Sequence, residues 1–264
     1  MRELVTMWRD TRMIMLVAVT AAIYAAVLIP FKGLTIIPGI TSVRPANVFP
    51  VIFSLMFGPA AAWGSALGNL IGDVFGGTLG PGSIFGFIGN FAFGFVGYKV
   101  WGNLGPLSSH EEPDMRSNVG MQLVEFWAIA LFASAACAAI IAWGVDLLGL
   151  VPFAVLGTTI TVNNFIAAAI LGPILLYLTW PRIKDMGLLY PDVLHGEDLS
   201  EAAPSRARLA AWGMGIVAIV WVVVGITVSA APGAMTNQIV GAVGFVAMVV
   251  LAFLSGERLT ELVG

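Results

Sequence analysis

The chain has 264 residues, of which 59% are hydrophobic and 10% charged, with a mean hydropathy of +0.95 and a formal net charge of −3. Soluble globular domains carry about 25% charged residues, so this composition excludes a soluble protein and indicates an integral membrane protein. The small negative charge is dispersed, and without a basic run it excludes nucleic acid as a partner and a polybasic lipid-binding patch.

Apolar segments near the ~20 residues that cross a ~30 Å hydrocarbon core lie at about 13–31, 82–101, 121–149, 155–180, 208–230 and 236–255. Two shorter ones, about 46–58 and 60–76, meet at Gly58-Pro59, a turn-forming pair that does not continue a helix. They are expected to form a tight antiparallel hairpin. The predicted fold is therefore an all-α integral membrane protein of eight helices. Basic loops stay cytoplasmic, and an N-in arrangement places Arg2, Arg9, Arg12, Lys99, Arg116, Arg182, Lys184, Arg206, Arg208 and Arg258 inside, ten of the twelve Lys and Arg. Both termini are then cytoplasmic. The two exceptions, Lys32 and Arg44, share the single outer loop after the first helix.

Three arginines precede the first apolar run, but about 19 apolar residues exceed the usual 7–15 of a cleaved signal core, so this segment is expected to stay as the first helix. It carries Ala18, Ala22 and Ala26 at four-residue spacing, with Ala21 and Ala25 beside them. Small residues on one face let another helix approach closely; the spacing alone leaves open whether that helix is internal or belongs to another subunit. From Lys32 to Pro45 the chain is broken by Gly33, Pro38, Gly39 and Pro45, and irregular backbone does not face lipid. It is expected to be an outer loop, carrying Arg44 with Asn47 just beyond it.

The hairpin's second helix places Ser65, Asn69 and Asp73 near one stripe, with Asp73 roughly 20 Å above the cytoplasmic end at ~1.5 Å per residue. The next helix has Gly82, Gly86, Asn90 and Gly94 at four-residue spacing, and Asn90 is placed to meet Asp73. A solvated loop, about 103–118, follows. The fifth span has Glu125 near its inner end and Asp146 near its outer end, where snorkelling to the interface is the expected role. The sixth carries Asn163 and Asn164, adjacent amides that need partners. After a polar stretch, the last two helices are nearly devoid of polar residues until Thr236, Asn237 and Gln238, as a peripheral addition would be.

Polar groups at this depth are costly unless they face a cavity or the protein interior. Arg44, Asn47, Asn69, Asp73, Asn90, Asn163 and Asn164 are accordingly the candidate substrate-binding residues, with Arg44 and Asp73 expected to neutralise each other partly. The amides could instead hold the helices together. Two histidines, His110 and His195, unpaired with any ligand motif, do not suggest a metal centre. The lone Cys137 is expected to be packing. No cofactor and no enzymatic grouping is apparent.

Residues 13–180 resemble the substrate-binding S components of energy-coupling factor vitamin transporters. The resemblance rests on the alanine-rich first helix, the irregular outer loop, the SVRPANVFPVIFSLMFGP segment and the Gly-rich GNLIGDVFGG helix. It implies a six-helix core, here 1–182; the cytoplasmic loop expected over 183–207 and the two additional helices over 208–264 lie beyond that pattern. It also implies a vitamin or related small molecule captured on the outer side, with Ala18, Ala22 and Ala26 docking a transmembrane coupling subunit driven by cytoplasmic ATPases. The arginine-containing segment is similar to the queuosine-precursor branch, in which an acidic residue commonly stands where this chain has Asn47. The absence of a GxxxxGK[ST] phosphate loop fits energy supplied by partners. A self-sufficient transporter that couples protons through Asp73, and a membrane scaffold, remain as alternatives.

Overall fold

The computed structural model describes residues 1–31, 34–37, 41–42, 44–194, 198–199, 202–229 and 231–263. Eight helices organise it: α1 (Thr11–Phe31), α2 (Val48–Phe57), α3 (Pro59–Phe75), α4 (Gly82–Val100), α5 (Val119–Leu147), α6 (Phe153–Asp185), α7 (Pro204–Val228) and α8 (Met235–Leu254). A short antiparallel pair, Thr35–Ile37 with Thr41–Ser42, precedes α2. The protein is an all-α membrane protein, and six helices among the described residues (α1 and α4 to α8) are long and apolar enough to cross a bilayer. Lys32, Gly33, Pro38, Gly39 and His195, singled out in the sequence, lie outside the described residues.

The predicted hairpin at Gly58-Pro59 is present, and its first arm is short, as expected. The first arm, α2, has 10 residues and is entered from a 3-10 turn at Pro45–Asn47. At 1.5 Å per residue it rises only about 15 Å, half a span. Asn47 therefore sits deep in the bundle, not at its rim. Gly58 joins the two arms at φ +50°, and a Cβ there would stand 2.7 Å from the Tyr190 ring. Both the backbone conformation and the contact call for glycine.

Alternating helix directions give the bundle two ends. The distal end carries Arg44 and the turns at 76–81 and 148–152; the terminal end carries both chain termini, Gly58 and the 101–118 connection. In sequence order α3 packs on α1, α4 on α3, α5 on α4 and α6 on α5, while α2 lies against α4 and α6. Glycines set the close contacts. A Cβ at Gly64 would lie 2.5 Å from Thr20 Cβ, one at Gly68 would lie 2.9 Å from the Ala21 carbonyl, and one at Gly94 would lie 2.6 Å from the Ala61 carbonyl. Helices in lipid associate through such approaches.

The last two helices form a side of the bundle, α7 against α5 and α6, and α8 against α7 and α5. Their glycines receive aromatic rings: Phe132 at Gly215, Phe153 at Gly225 and Trp143 at Gly241.

Three acidic or loop features differ from expectation. Glu125 is fully buried and accepts hydrogen bonds from Gly102 N (2.8 Å), Ser109 N (2.7 Å) and Ser109 Oγ (2.9 Å), so it staples the α4–α5 connection instead of snorkelling. Asp146 is also fully buried and accepts from Phe153 N at 3.0 Å, the first residue of α6. The 103–118 connection, expected to be solvated, packs Leu104, Ser108, Ser109 and Met115 into the protein. It also anchors Glu112 to Trp180 Nε1 at 2.9 Å and to Lys184. A buried backbone N–H without an acceptor is costly, and the carboxylates of Glu125 and Asp146 supply one.

At the terminal end Lys99 Nζ lies 2.7 Å from Glu3 Oε1 with both side chains out of solvent, and Tyr98 Oη donates to Glu3 at 3.2 Å. Breaking a buried pair by removing one partner costs about 3–5 kcal/mol. Lys99→Met is therefore expected to lower stability by about that amount, whereas Arg258→Met, which breaks a partly exposed pair with Glu261, should cost under about 1 kcal/mol. Denaturation of both variants in detergent checks this; equal losses would contradict it.

Candidate functional site

A cavity of about 210 Å³ opens at the distal end between α3, α4, α5, α6 and Arg44. Its polar lining is Arg44, Asn69, Asp73, Thr78 and Ser83, and its apolar lining is Ile141, Val145, Leu150, Leu156 and Ile160. The four-residue spacing on α3 brings Asn69 and Asp73 to one face, and both are buried. Arg44 Nη1 donates to Asn69 Oδ1 at 3.4 Å, Asn69 Nδ2 donates to Asp73 Oδ2 at 3.4 Å, and Thr78 Oγ1 donates to Asp73 Oδ1 at 3.2 Å. The Asn69 amide thus bridges Arg44 and Asp73. Arg44 Nε is buried and has no hydrogen-bond partner among the described residues. Space beside these groups depends on Gly86, where a Cβ would stand 3.0 Å from Asn69 Nδ2 and 3.7 Å from Asp73 Oδ2.

Beneath the cavity lies a second, closed group. Tyr24 Oη is 2.9 Å from Asn47 Oδ1 and 2.9 Å from Asn90 Oδ1; with one proton it is shared between the two carbonyls. Asn47 Nδ2 donates to Asn164 Oδ1, and Asn90 Nδ2 donates to the Gly86 carbonyl at 2.8 Å. The four side chains come from α1, the turn before α2, α4 and α6, and all are buried. Gly86 belongs to both groups, presenting its carbonyl to the network and its Cα to the cavity.

The seven candidates therefore divide. Arg44, Asn69 and Asp73 line the cavity; Asn47, Asn90 and Asn164 form the network under it; Asn163 is half-buried on the next helical position and does not line it. Ser65 is buried one turn below Asn69 and lies outside the lining. The sequence analysis missed Tyr24, Thr78 and Ser83. Tyr24 was findable in principle, because it stands four residues after Thr20 as a polar-tipped aromatic in an otherwise apolar helix.

The alanines of α1 also separate. Ala21 and Ala25 are buried, while Ala18, Ala22 and Ala26 are exposed. The stripe with four-residue spacing is left bare by the chain itself. Among the described residues no cluster of three or more His, Cys, Asp or Glu could hold a metal.

Residues 14–180 match the QueT transporter family. The chain belongs to this family. QueT transporters are S components of the energy-coupling factor type, associated with queuosine precursors. No curated protein and no solved structure matches the chain. The QueT match runs from α1 into α6 and takes in every residue of the cavity lining and of the network; α7 and α8 lie beyond it.

Tyr24→Phe tests whether the network supports the cavity. Two buried amide carbonyls would lose their shared donor, at about 1–3 kcal/mol. Thermal unfolding in detergent should show the loss, and unchanged stability would mean that the hydroxyl holds nothing together.

Proposed function

We propose that this chain is the substrate-capture subunit of an energy-coupling factor importer, taking a small flat heterocycle of the queuosine-precursor kind into the distal cavity. The observation that carries the reading is the cavity's lining. The Asp73 carboxylate accepts hydrogen bonds from ring N–H and amino groups, the Asn69 amide offers a donor and an acceptor, and Arg44 donates to a ring carbonyl. Ile141, Val145, Leu156 and Ile160 supply apolar contact for the ring faces. The phenylalanines of α4 are not in this lining. A pocket with apolar walls and a few placed polar groups is the general form of a small-molecule site.

The bare face at Ala18, Ala22 and Ala26 is assigned to a separate transmembrane coupling subunit. Its small side chains permit close helix approach. The internal partner left open by the spacing is accounted for by the other stripe, Ala21 and Ala25, which is buried while this one is exposed. Energy then comes from ATPases bound to the coupling subunit. The distal end faces outward and both termini face the cytoplasm, in keeping with the distribution of Lys and Arg.

Ala22→Trp is expected to abolish uptake in cells while binding of a queuosine precursor, measured by calorimetry on purified protein, is unchanged. Asp73→Asn should do the reverse to affinity, weakening binding by about tenfold to a hundredfold, the equivalent of about 1–3 kcal/mol. Normal uptake by the Trp variant would refute the docking assignment; normal binding by the Asn variant would refute the site.

A further inference from the structure

The contact between α5 and the last two helices holds a group of buried polar atoms for which neither the family match nor the cavity accounts. Asp146 Oδ2, both amide atoms of Asn237, Trp143 Nε1 and Trp221 Nε1 have no hydrogen-bond partner among the described residues. The Asp146 and Asn237 side chains are 0% and 2% exposed. The side chains that carry them follow one another along the seam. The Trp143 and Trp221 rings are 5.9 Å apart, and a Cβ at Gly241 would stand 2.3 Å from Trp143 Nε1. Because α5 and α8 run in opposite directions, one helical turn toward the distal end from that contact reaches Asp146 on α5 and Asn237 on α8. The Asp146 carbonyl oxygen is 3.8 Å from the Cβ position of Gly233, just before α8 begins, which fixes this register.

The chemistry of the group limits what it binds. Asp146 forms no ion pair with any described cationic side chain; Phe153 N, at the start of α6, donates to its Oδ1 at 3.0 Å. What remains is two indole donors, a carboxylate acceptor and an amide that is both. A molecule that donates and accepts in several directions within a small space satisfies all of them, and water does so in sites of this kind.

Asp146 also ties the start of α6, beside the wall of the cavity. Asp146 Oδ1 fixes Phe153 N, and Ser229 Oγ at the end of α7 accepts from Ala154 N at 3.2 Å. Between and just beyond these ties stand Leu150 and Leu156, both cavity-lining. We propose that the seam between α5, α7 and α8 is a hydration site in which ordered water bridges Asp146 to Asn237. Through this bridge the C-terminal helices brace the α5–α6 turn, and Asp146 and Asn237 are positioning residues for the distal cavity. The last clause rests on the reading of that cavity as the substrate site.

The test uses the purified full chain without ligand, so its outcome is independent of whether the cavity binds substrate. In radiolytic labelling, oxygen is added to side chains next to bound water. After correction for intrinsic reactivity, Trp221 should be labelled several-fold faster than Phe93 and Phe126, which are fully buried away from this seam. Asn237→Leu should bring Trp221 down to their level and speed hydrogen exchange of the amides at 148–154 by about tenfold, as expected for loss of one buried hydrogen-bonded bridge. Asn237→Ala, which adds no volume, repeats the measurement if the Leu variant does not fold. Wild-type Trp221 labelled no faster than the two phenylalanines overturns the hydration site. Labelled Trp221 with exchange at 148–154 unchanged in the variants overturns the brace.

Discussion

A hydrocarbon core offers a polar side chain no hydrogen-bonding solvent, so every amide placed there must find its partner inside the protein. Three of the amides, Asn47, Asn90 and Asn164, meet that constraint at one node, the Tyr24 hydroxyl shared by Asn47 and Asn90 and extended to Asn164 by the Asn47 amide. Interhelical hydrogen bonds in membranes contribute only about 0.6 kcal/mol each on average. The asymmetry matters more than the mean, because an orphaned member costs about 1–3 kcal/mol. The node therefore acts chiefly on geometry. It draws the start of α2 down to the middle of the bundle, which is why α2 is a half-span, and it closes the space beneath the distal cavity.

Above the node the same rule is left partly unmet. Arg44, Asn69 and Asp73 are joined by long contacts of 3.4 Å, and Arg44 Nε has no partner among the described residues. Loosely satisfied donors and acceptors around an apolar-walled space gain most from a ligand that completes them. Gly86 separates the two regimes: its carbonyl is used by the closed network, and its missing side chain keeps the cavity open beside Asn69. On α1 a comparable division holds between faces, with glycines of α3 seated against Thr20, Ala21 and Tyr24, and the Ala18, Ala22 and Ala26 stripe bare.

Much of this was legible in the sequence, because lipid imposes strong rules. The long apolar runs marked six helices, Gly58-Pro59 marked the turn of the short pair, and the four-residue spacing of Asn69 and Asp73 marked a common face. The depth of Asn47 was not legible, since residues on both sides of it are apolar and composition does not say how deep a chain enters. Nor was the division of the amides into lining and network, which depends on Tyr24 reaching two segments 23 and 66 residues away. Glu125 and Asp146 were assigned to the interface by their position near helix ends. Their real partners are backbone N–H groups of neighbouring connections, and a spacing rule within one helix does not see those.

Substrate capture requires that the distal cavity hold a small heterocycle. Mass spectrometry of the molecules released from the purified full chain addresses this most directly, comparing wild type with Arg44→Ala/Asp73→Ala. A small heterocycle is expected at up to one per wild-type chain, absent from the doubly substituted protein although it remains folded. Equal retention by both proteins would contradict it.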